Sequence, residues 1–374
     1  MDFTYDEEQQ ALREAVRGLA GKAYSDFENR RRTVGEDPGF SEKVWTQLAE
    51  MGVLGLPFEE PYGGMGAGPV EVGIVAQELG RVLAPEPFLT AVVLAGGLVA
   101  AAGSEEQKET LLGGLSSGET VLAFAHAEPG SRWSPSASAV TASGGSLTGV
   151  KEPVVQGARA DVLIVSAALE GGGTGLFVVD GPDAERTSYR THDGGRAAKI
   201  TFSDTPATPL GEGGDATGII ARVLDSARVA ACNEAIGLME VALETTAAYL
   251  KSRKQFGVTL NTFQALTFRS ADMYVSLELA RSLATWATMV LAEEGGEQAS
   301  VAASRAALQV SRAGRHIGQE AIQLHGGIGV TAEYAIGSYT SRLTALDHLL
   351  GDGNHHLSQL AAGVGGYGEV EPLS

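Results

Sequence analysis

At 374 residues, with 44% apolar and 20% charged residues, the chain has the composition of a soluble globular protein with more than one core. Its 46 acidic against 27 basic residues give a formal charge of −19, which argues against general binding to nucleic acid or anionic membrane; an anionic ligand would need a local cation cluster. One cysteine, Cys232, permits no internal disulfide and fits a reducing cytoplasm.

The N-terminus, MDFTYDEEQQ, is acidic and lacks a signal-peptide pattern. Residues 1–117 read as a helical domain. Asp6 to Ala20 is amphipathic, with Leu12, Val16 and Leu19 on one face. Ser41 caps a helix that runs to Met51 and stops at Gly52, and Ser104 to Gln107 spells a capping box. The apolar run Phe88 to Gly103 is short for a membrane span and reads as a buried helix. Pro57 to Gly66 is a glycine-rich loop, by itself only a turn signal.

Residues 118–216 change texture. Val121–Ala127, Ala137–Thr141, Val162–Ala167, Gly175–Asp180 and Ala198–Phe202 are short apolar or alternating runs separated by Gly, Ser and Pro clusters, the mark of an antiparallel β-domain. Gly171 to Gly175 joins two such runs with no helix after it, so it predicts a hairpin loop rather than a nucleotide loop.

Residues 217–374 read as a four-helix bundle, with segments over 218–252, 262–294, 297–325 and 332–362. Val229, Cys232, Ile236, Met239, Leu243, Thr246 and Leu250 form one seam on the first segment. That seam runs into Arg253-Lys254-Gln255-Phe256-Gly257 and then Phe263-Gln264. Cations suit a helix C-terminus, so the turn is either a capped helical hairpin or an anion site with Arg253 and Gln264 flanking a phosphate. The abundant Gly and Ala of the bundle serve close helix packing or leave room for a bulky ligand. The expected class is α+β, mostly α: helical domain, β-domain, bundle.

Residue chemistry alone offers little else. Seven histidines are scattered without HExxH or paired-Cys spacing, so no metal is expected. His355 and His356 are adjacent on a helix and read as surface or interface residues.

Four stretches in order resemble the acyl-CoA dehydrogenase family: Pro57 to Gly66, similar to its P-E-x-Y-G-G-x-G loop; Leu147 to Lys151 with Ala160-Asp161, similar to its N-G-x-K and A-D strand pair; Arg253 to Gly257 with Phe263-Gln264; and Gln323-x-x-Gly326-Gly327-x-Gly329-x-Thr331-x-Glu333-Tyr334. The resemblance implies a three-domain flavoprotein. It would use FAD to dehydrogenate an acyl-CoA thioester, with a Glu carboxylate taking the α-proton and reduced flavin passing electrons to an electron-transfer flavoprotein. It also implies that Arg253, Gln255, Phe256, Gln264, Gln323, Gly326 and Gly327 bind the pyrophosphate and adenosine end of a neighbouring subunit's FAD.

The chain departs from the family pattern at the catalytic positions. The usual Glu falls on Leu350 before Gly351, and the alternative place, just before an Arg on the first bundle helix, is Ala227 before Arg228. Asp352 is the nearest carboxylate and Asp347 the next; Asp352, between Gly351 and Gly353, reads first as a turn or cap residue. The hydroxyl expected near the flavin is Ala127, the W-I-T that packs on the ring is Pro153-Val154-Val155, and the G-x-G-S-D run has become Gly130-Ser131-Arg132-Trp133-Ser134. Losing the flavin end while keeping the groups for a neighbour's FAD resembles the non-base subunit of heterotetrameric acyl-CoA dehydrogenases of actinobacterial sterol side-chain degradation. The alternatives are a self-sufficient homotetramer using a shifted acid such as Asp352, and a structural subunit without acyl-CoA chemistry.

Overall fold

The computed structural model describes residues 4–293 and 296–367. α1 (Glu7–Tyr24) starts at Asp6, whose carboxylate accepts from the Gln9 amide while the Gln9 side chain accepts from the Asp6 amide. This reciprocal box satisfies two donors that a first helical turn leaves without partners. α2 (Phe27–Gly35) and α3 (Glu42–Glu50) follow, with Ser41 capping α3. α4 (Pro69–Arg81) is enclosed, with Val72 through Gly80 all buried. Its Glu78 accepts from Arg13 and Arg17 and so clamps α4 to α1.

The apolar run after α4 begins as a π-helix, Phe88–Gly96, and continues as α5 (Gly97–Ala102). Every residue of Phe88–Gly96 is buried, as the sequence indicates, but its wider winding has no signature in the apolar pattern. α6 (Glu105–Ser116) carries the Ser104–Gln107 capping box.

The β-domain comprises β1 (Leu122–Ala125), β2 (Thr141–Ser143), β3 (Ser146–Val155), β4 (Val162–Ala168), β5 (Thr174–Asp180), β6 (Glu185–Arg190), β7 (Arg196–Pro206) and β8 (Thr208–Pro209). They form one sheet in the order β6-β7-β3-β2-β4-β5-β8, with β1 beside β4. Most neighbours are antiparallel, and Gly171 to Gly173 lies in the loop of the β4–β5 hairpin. The sheet is nonetheless mixed: β1 runs parallel to β4, and β2 meets β4 in parallel at Thr141 and Ala168. Alternation of side chains carries no record of strand direction. The strand expected over Ala137–Thr141 also fails, because β2 only starts at Thr141. The amides of Ser138, Ala139 and Val140 bind the Glu128 carboxylate instead of a ladder.

The bundle is α7 (Thr217–Ser252), α8 (Gln264–Glu293), α9 (Gly296–His325) and the pair α10 (Ile336–Leu349) and α11 (Gly353–Ala362). Position 294, the expected end of the second segment, and residues 368–374 lie outside the described residues. Val229, Cys232, Ile236, Met239, Thr246 and Leu250 are buried along one seam, as the heptad predicts. The fourth segment is not continuous. It breaks at Leu350–Asp352, where Gly351 takes φ 122° and the Asp352 side chain caps α11 by accepting from the His355 amide at 2.8 Å.

Arg342 of α10 ties the bundle to the β-domain, donating to Asp193 at 2.8 Å and to Glu234 of α7 at 2.7 Å. α7 packs on α4 through Gly237, where a Cβ would lie 2.1 Å from the Gln77 carbonyl oxygen. Gly237→Ala must therefore push the helices apart, and we expect it to lower unfolding free energy by about 1–3 kcal/mol. An unchanged chemical-denaturation midpoint would contradict this close approach.

Candidate functional site

A buried charge pair organises the β-domain side of the cleft. Lys151 on β3 is fully buried, and its ammonium donates to Glu128 Oε1 at 2.8 Å, the His126 carbonyl at 2.9 Å and Ser166 Oγ at 3.0 Å. Burial alone would raise the Glu128 carboxyl, but the bonds from Lys151 and the amides of Val140, Ala139 and Ser138 outweigh it and hold it at about 2. Burial lowers Lys151 to about 8 despite Glu128. His126 continues the network: Nε2 lies 2.6 Å from the Ser134 carbonyl and Nδ1 2.8 Å from Ser166 Oγ. A ring nitrogen facing a carbonyl must donate, so Nε2 carries the proton and Nδ1 accepts from Ser166. Burial and the Lys151 charge hold this imidazole at about 4, hence neutral. The network fixes the segment from Ala127 to Ser136, one wall of the cleft.

The opposite walls come from the π-helix, α7 and the break after α10. Leu350, where the resemblance leads one to expect the base, is buried and lines both this cleft and a second cavity inside the bundle. Ala227 is also buried and has no polar atom on its side chain. Arg228, one residue on, lines both cavities, donating through Nε to the Leu350 carbonyl at 2.8 Å and through its terminal nitrogen to Asp225 at 2.6 Å. Trp133 projects into the cleft from a backbone at φ 56°; its indole N–H donates to the His348 carbonyl at 3.0 Å, and its ring lies 5.3 Å from that of His355. Ala127, Pro153 and Val155 line the same cleft.

From sequence alone Arg228 is only a landmark and Trp133 only a departure from the family pattern. The latter's signal was a bulky aromatic in a Gly- and Ser-rich turn. The expectation that His355 and His356 are surface or interface residues is corrected at His356. Its ring is buried against the bundle cavity, beside Cys232 and Arg228. Burial first, then Arg228 and His355, holds it at about 4.

A second surface forms at the far end of the bundle. α7 ends at Arg253, followed by a small hairpin of β9 (Lys254–Gln255) and β10 (Val258–Thr259). Its tip is Phe256-Gly257, both at positive φ, with Phe256 90% exposed. Two left-handed residues make the tight hairpin turn that normally selects Asn-Gly, so an aromatic there is held against its preference. Tyr249 stacks on His325 at 4.5 Å, and Arg269 donates to Glu320 at 2.9 Å. These contacts bring the end of α7, the start of α8 and the end of α9 together. Arg253, Gln255, Phe256, Gln264, Gln323, Gly326 and Gly327 are all exposed there. The side chains of Arg253, Gln255, Gln264 and Gln323 have no hydrogen-bond or ion-pair partner among the described residues. Asp352 and Asp347 lie apart from this surface, at the break and on α10.

Residues 6–119 match the family described as acyl-CoA dehydrogenase, N-terminal domain, and residues 217–365 match acyl-CoA dehydrogenase, C-terminal domain. The chain therefore belongs to the acyl-CoA dehydrogenase family, the FAD-dependent oxidoreductases acting on CH–CH bonds. It is 30% identical over 363 residues to acyl-CoA dehydrogenase IpdE2 of Mycobacterium tuberculosis, covering 97% of this chain and 99% of that one. Among solved structures, a Tcur3481–Tcur3483 steroid ACAD G363A variant superposes with a TM-score of 0.86 at 30% identity, covering 96% of this chain and 98% of that one. The ChsE4–ChsE5 complex from Mycobacterium tuberculosis superposes with a TM-score of 0.87 at 26% identity over 100% of both chains.

The two ends of FAD fit this chain unequally. The exposed surface around Arg253 offers a cation and amides without partners, suited to phosphate and sugar oxygens. The cleft at Ala127, Pro153 and Val155 offers a flavin ring apolar walls and no donor from those three side chains.

Lys151→Met should destabilise the fold by about 3–5 kcal/mol, since it strands a buried carboxylate. Glu128 is depressed to about 2 from 4.5, so its contribution is present above 4.5 and is lost as pH falls toward about 2. In Lys151→Met the carboxyl loses its cation and its folded-state pKa rises, so the loss of stability between pH 4.5 and about 2 should shrink or reverse relative to the parent, which denaturation curves across a pH series will show.

Proposed function

We propose that this chain is one of two unlike subunits of an acyl-CoA dehydrogenase, contributing groups to its partner's FAD site and leaving proton abstraction to the partner. The carrying observation is the contrast between two surfaces. Both base positions, Leu350 and Ala227, are buried hydrocarbon, and no hydrocarbon takes a proton. The seven residues around Arg253 stand exposed, with their polar side chains free to meet a ligand from outside the chain. Two of the structural relatives carry paired names, Tcur3481–Tcur3483 and ChsE4–ChsE5, which supports an assembly of unlike subunits.

In this reading FAD, when bound, accepts the hydride from the acyl β-carbon. Arg253 neutralises pyrophosphate charge, while Gln255, Gln264 and Gln323 donate to phosphate and ribose oxygens. Phe256 packs on the cofactor or on the partner, and Gly326 and Gly327 let backbone approach. The assembly is a dimer of dimers in the cytoplasm, and its electrons pass to an electron-transfer flavoprotein. The homotetrameric alternative, with Asp352 as base, is disfavoured because that carboxylate is already engaged in capping α11.

Co-expression with the neighbouring gene's product should give a mixed tetramer with flavin absorbance and an FAD-to-chain ratio near half. The chain purified alone should carry little FAD. Arg253→Ala, an exposed change that leaves folding intact, should weaken FAD retention by the mixed complex roughly tenfold or more, by loss of a charge-assisted bond. Stoichiometric FAD and acyl-CoA turnover by the chain alone would refute the reading, and Asp352→Asn would then test the homotetramer.

A further inference from the structure

The cavity inside the bundle has no part in the reading above. It exists because several of its walls are built from small residues: Ala231 and Ala235 on α7, Ala307 and Gly314 on α9, with Leu343 and Leu346 of α10 closing the space. The Gly and Ala of the bundle therefore leave room here as well as packing helices closely. The cavity measures about 150 Å³, about the size at which an apolar cavity in a protein core accepts one benzene-sized ring. Arg315, Thr344 and His348, all exposed, form its rim.

It is not a purely apolar space. Two residues of its wall hold buried polar atoms without a partner among the described residues: Nδ1 of His356, which is 1% exposed, and Oδ1 of Asp347. The His356 ring donates to the Gly351 carbonyl, and since Nδ1 has no partner that bond is made by Nε2. A neutral imidazole has a single N–H, so Nδ1 is left as an acceptor. Asp347 directs its other oxygen toward Arg315, 3.9 Å away. Arg228 and Thr340, also in the wall, already donate to backbone carbonyls, and burial pushes the Cys232 thiol up to about 12.

These features select an occupant. A buried acceptor without a donor is costly, and a site holding one favours the ligand that supplies the donor over its isostere that does not. A carboxylate or phosphate would meet Asp347 and an ammonium would meet Arg228, whereas a neutral molecule meets neither penalty.

We infer that the bundle cavity is a binding site for a small neutral molecule, a ring or short chain bearing a hydroxyl that donates to His356 or Asp347. The hydrocarbon part fills the space between α7, α9 and α10. The site is separate from the surfaces discussed above and stands whether or not the subunit reading does.

Phenol is the probe, and toluene, of nearly the same shape without the donor, is its control. Both are titrated calorimetrically into the full chain, alone or with its co-expressed partner. One site per copy of this chain should saturate, with phenol bound roughly tenfold tighter than toluene. His356→Leu and Asp347→Leu each remove one acceptor. At least one should shrink the preference for phenol severalfold while leaving toluene affinity nearly unchanged, a selectivity that general loss of structure would not produce. Ala235→Leu fills the cavity and should abolish binding of both probes with a cooperative unfolding transition retained; Ala231→Leu serves where that variant fails to fold. Absence of saturable phenol binding, as when ordered water already satisfies both acceptors, would overturn the inference. So would equal binding of the two probes, a preference unmoved by both acceptor variants, or binding that survives the filled cavity.

Discussion

The Lys151–Glu128 pair is the constraint on which the β-domain side of the molecule depends. A buried ammonium and a buried carboxylate each carry a large desolvation cost, so neither is tolerable without the other. Their remaining hydrogen-bonding capacity turns that necessity into architecture. Glu128 gathers the amides of Ser138, Ala139 and Val140, while Lys151 holds the His126 carbonyl and the Ser166 hydroxyl that meets the His126 ring. An irregular stretch is thereby held by hydrogen bonds outside any ladder, and it presents Ala127 and Trp133 to the cleft. On the bundle side Arg228 plays a similar part, gripping the Leu350 carbonyl where the helix breaks. Two cations thus frame a site whose own reactive positions are hydrocarbon.

Much of this was legible in the sequence because it rests on local rules. The Ser41 cap, the Ser104 box and the heptad from Val229 are short-range patterns, and the structure carries all of them. The family motifs were legible for a different reason: glycines and glutamines at fixed spacings are uncommon by chance. What escaped depends on contacts far apart in the chain. The parallel pairing of β1 with β4 joins residues about forty positions apart, as at Leu122 and Val162, and strand direction leaves no trace in side-chain alternation. Ala137 to Val140 reads as a strand because it is apolar, yet Glu128 captures its amides first. The break at Leu350 was half legible, since Asp352 between Gly351 and Gly353 reads as a turn or cap residue and does cap α11 although 332–362 reads as one segment, while the burial of His356 depends on packing against α7 and α9, far away in the chain.

The site was legible as a list of presences and absences more than as a shape. Leu350 and Ala227 could be named from alignment to a motif, but not the Arg228 guanidinium reaching past one to the backbone of the other. Nor could the meeting of Glu86 and Gln156, seventy residues apart, at one cavity between the N-terminal helices, the β-domain and α10 be foreseen. Each has a buried oxygen without a hydrogen-bond partner among the described residues, which only three-dimensional packing reveals. Buried polar atoms without a partner are spread over the fold, on Arg186 and Gln156 of the β-domain, on Glu86, and on Ser270, His325, Asp347 and His356 of the bundle.

That rim has a consequence for the life of the chain before assembly. Phe256, Phe268, Tyr274, Val275, Leu279 and Val330 are all more than half exposed on or near the hairpin and α8, far more apolar surface than scattered single residues require. A newly made copy with nothing seated there is a natural client for chaperones and a target for proteolysis. Cellular abundance would then follow the supply of whatever covers the rim, and synthesis of this polypeptide in excess would yield turnover rather than surplus protein.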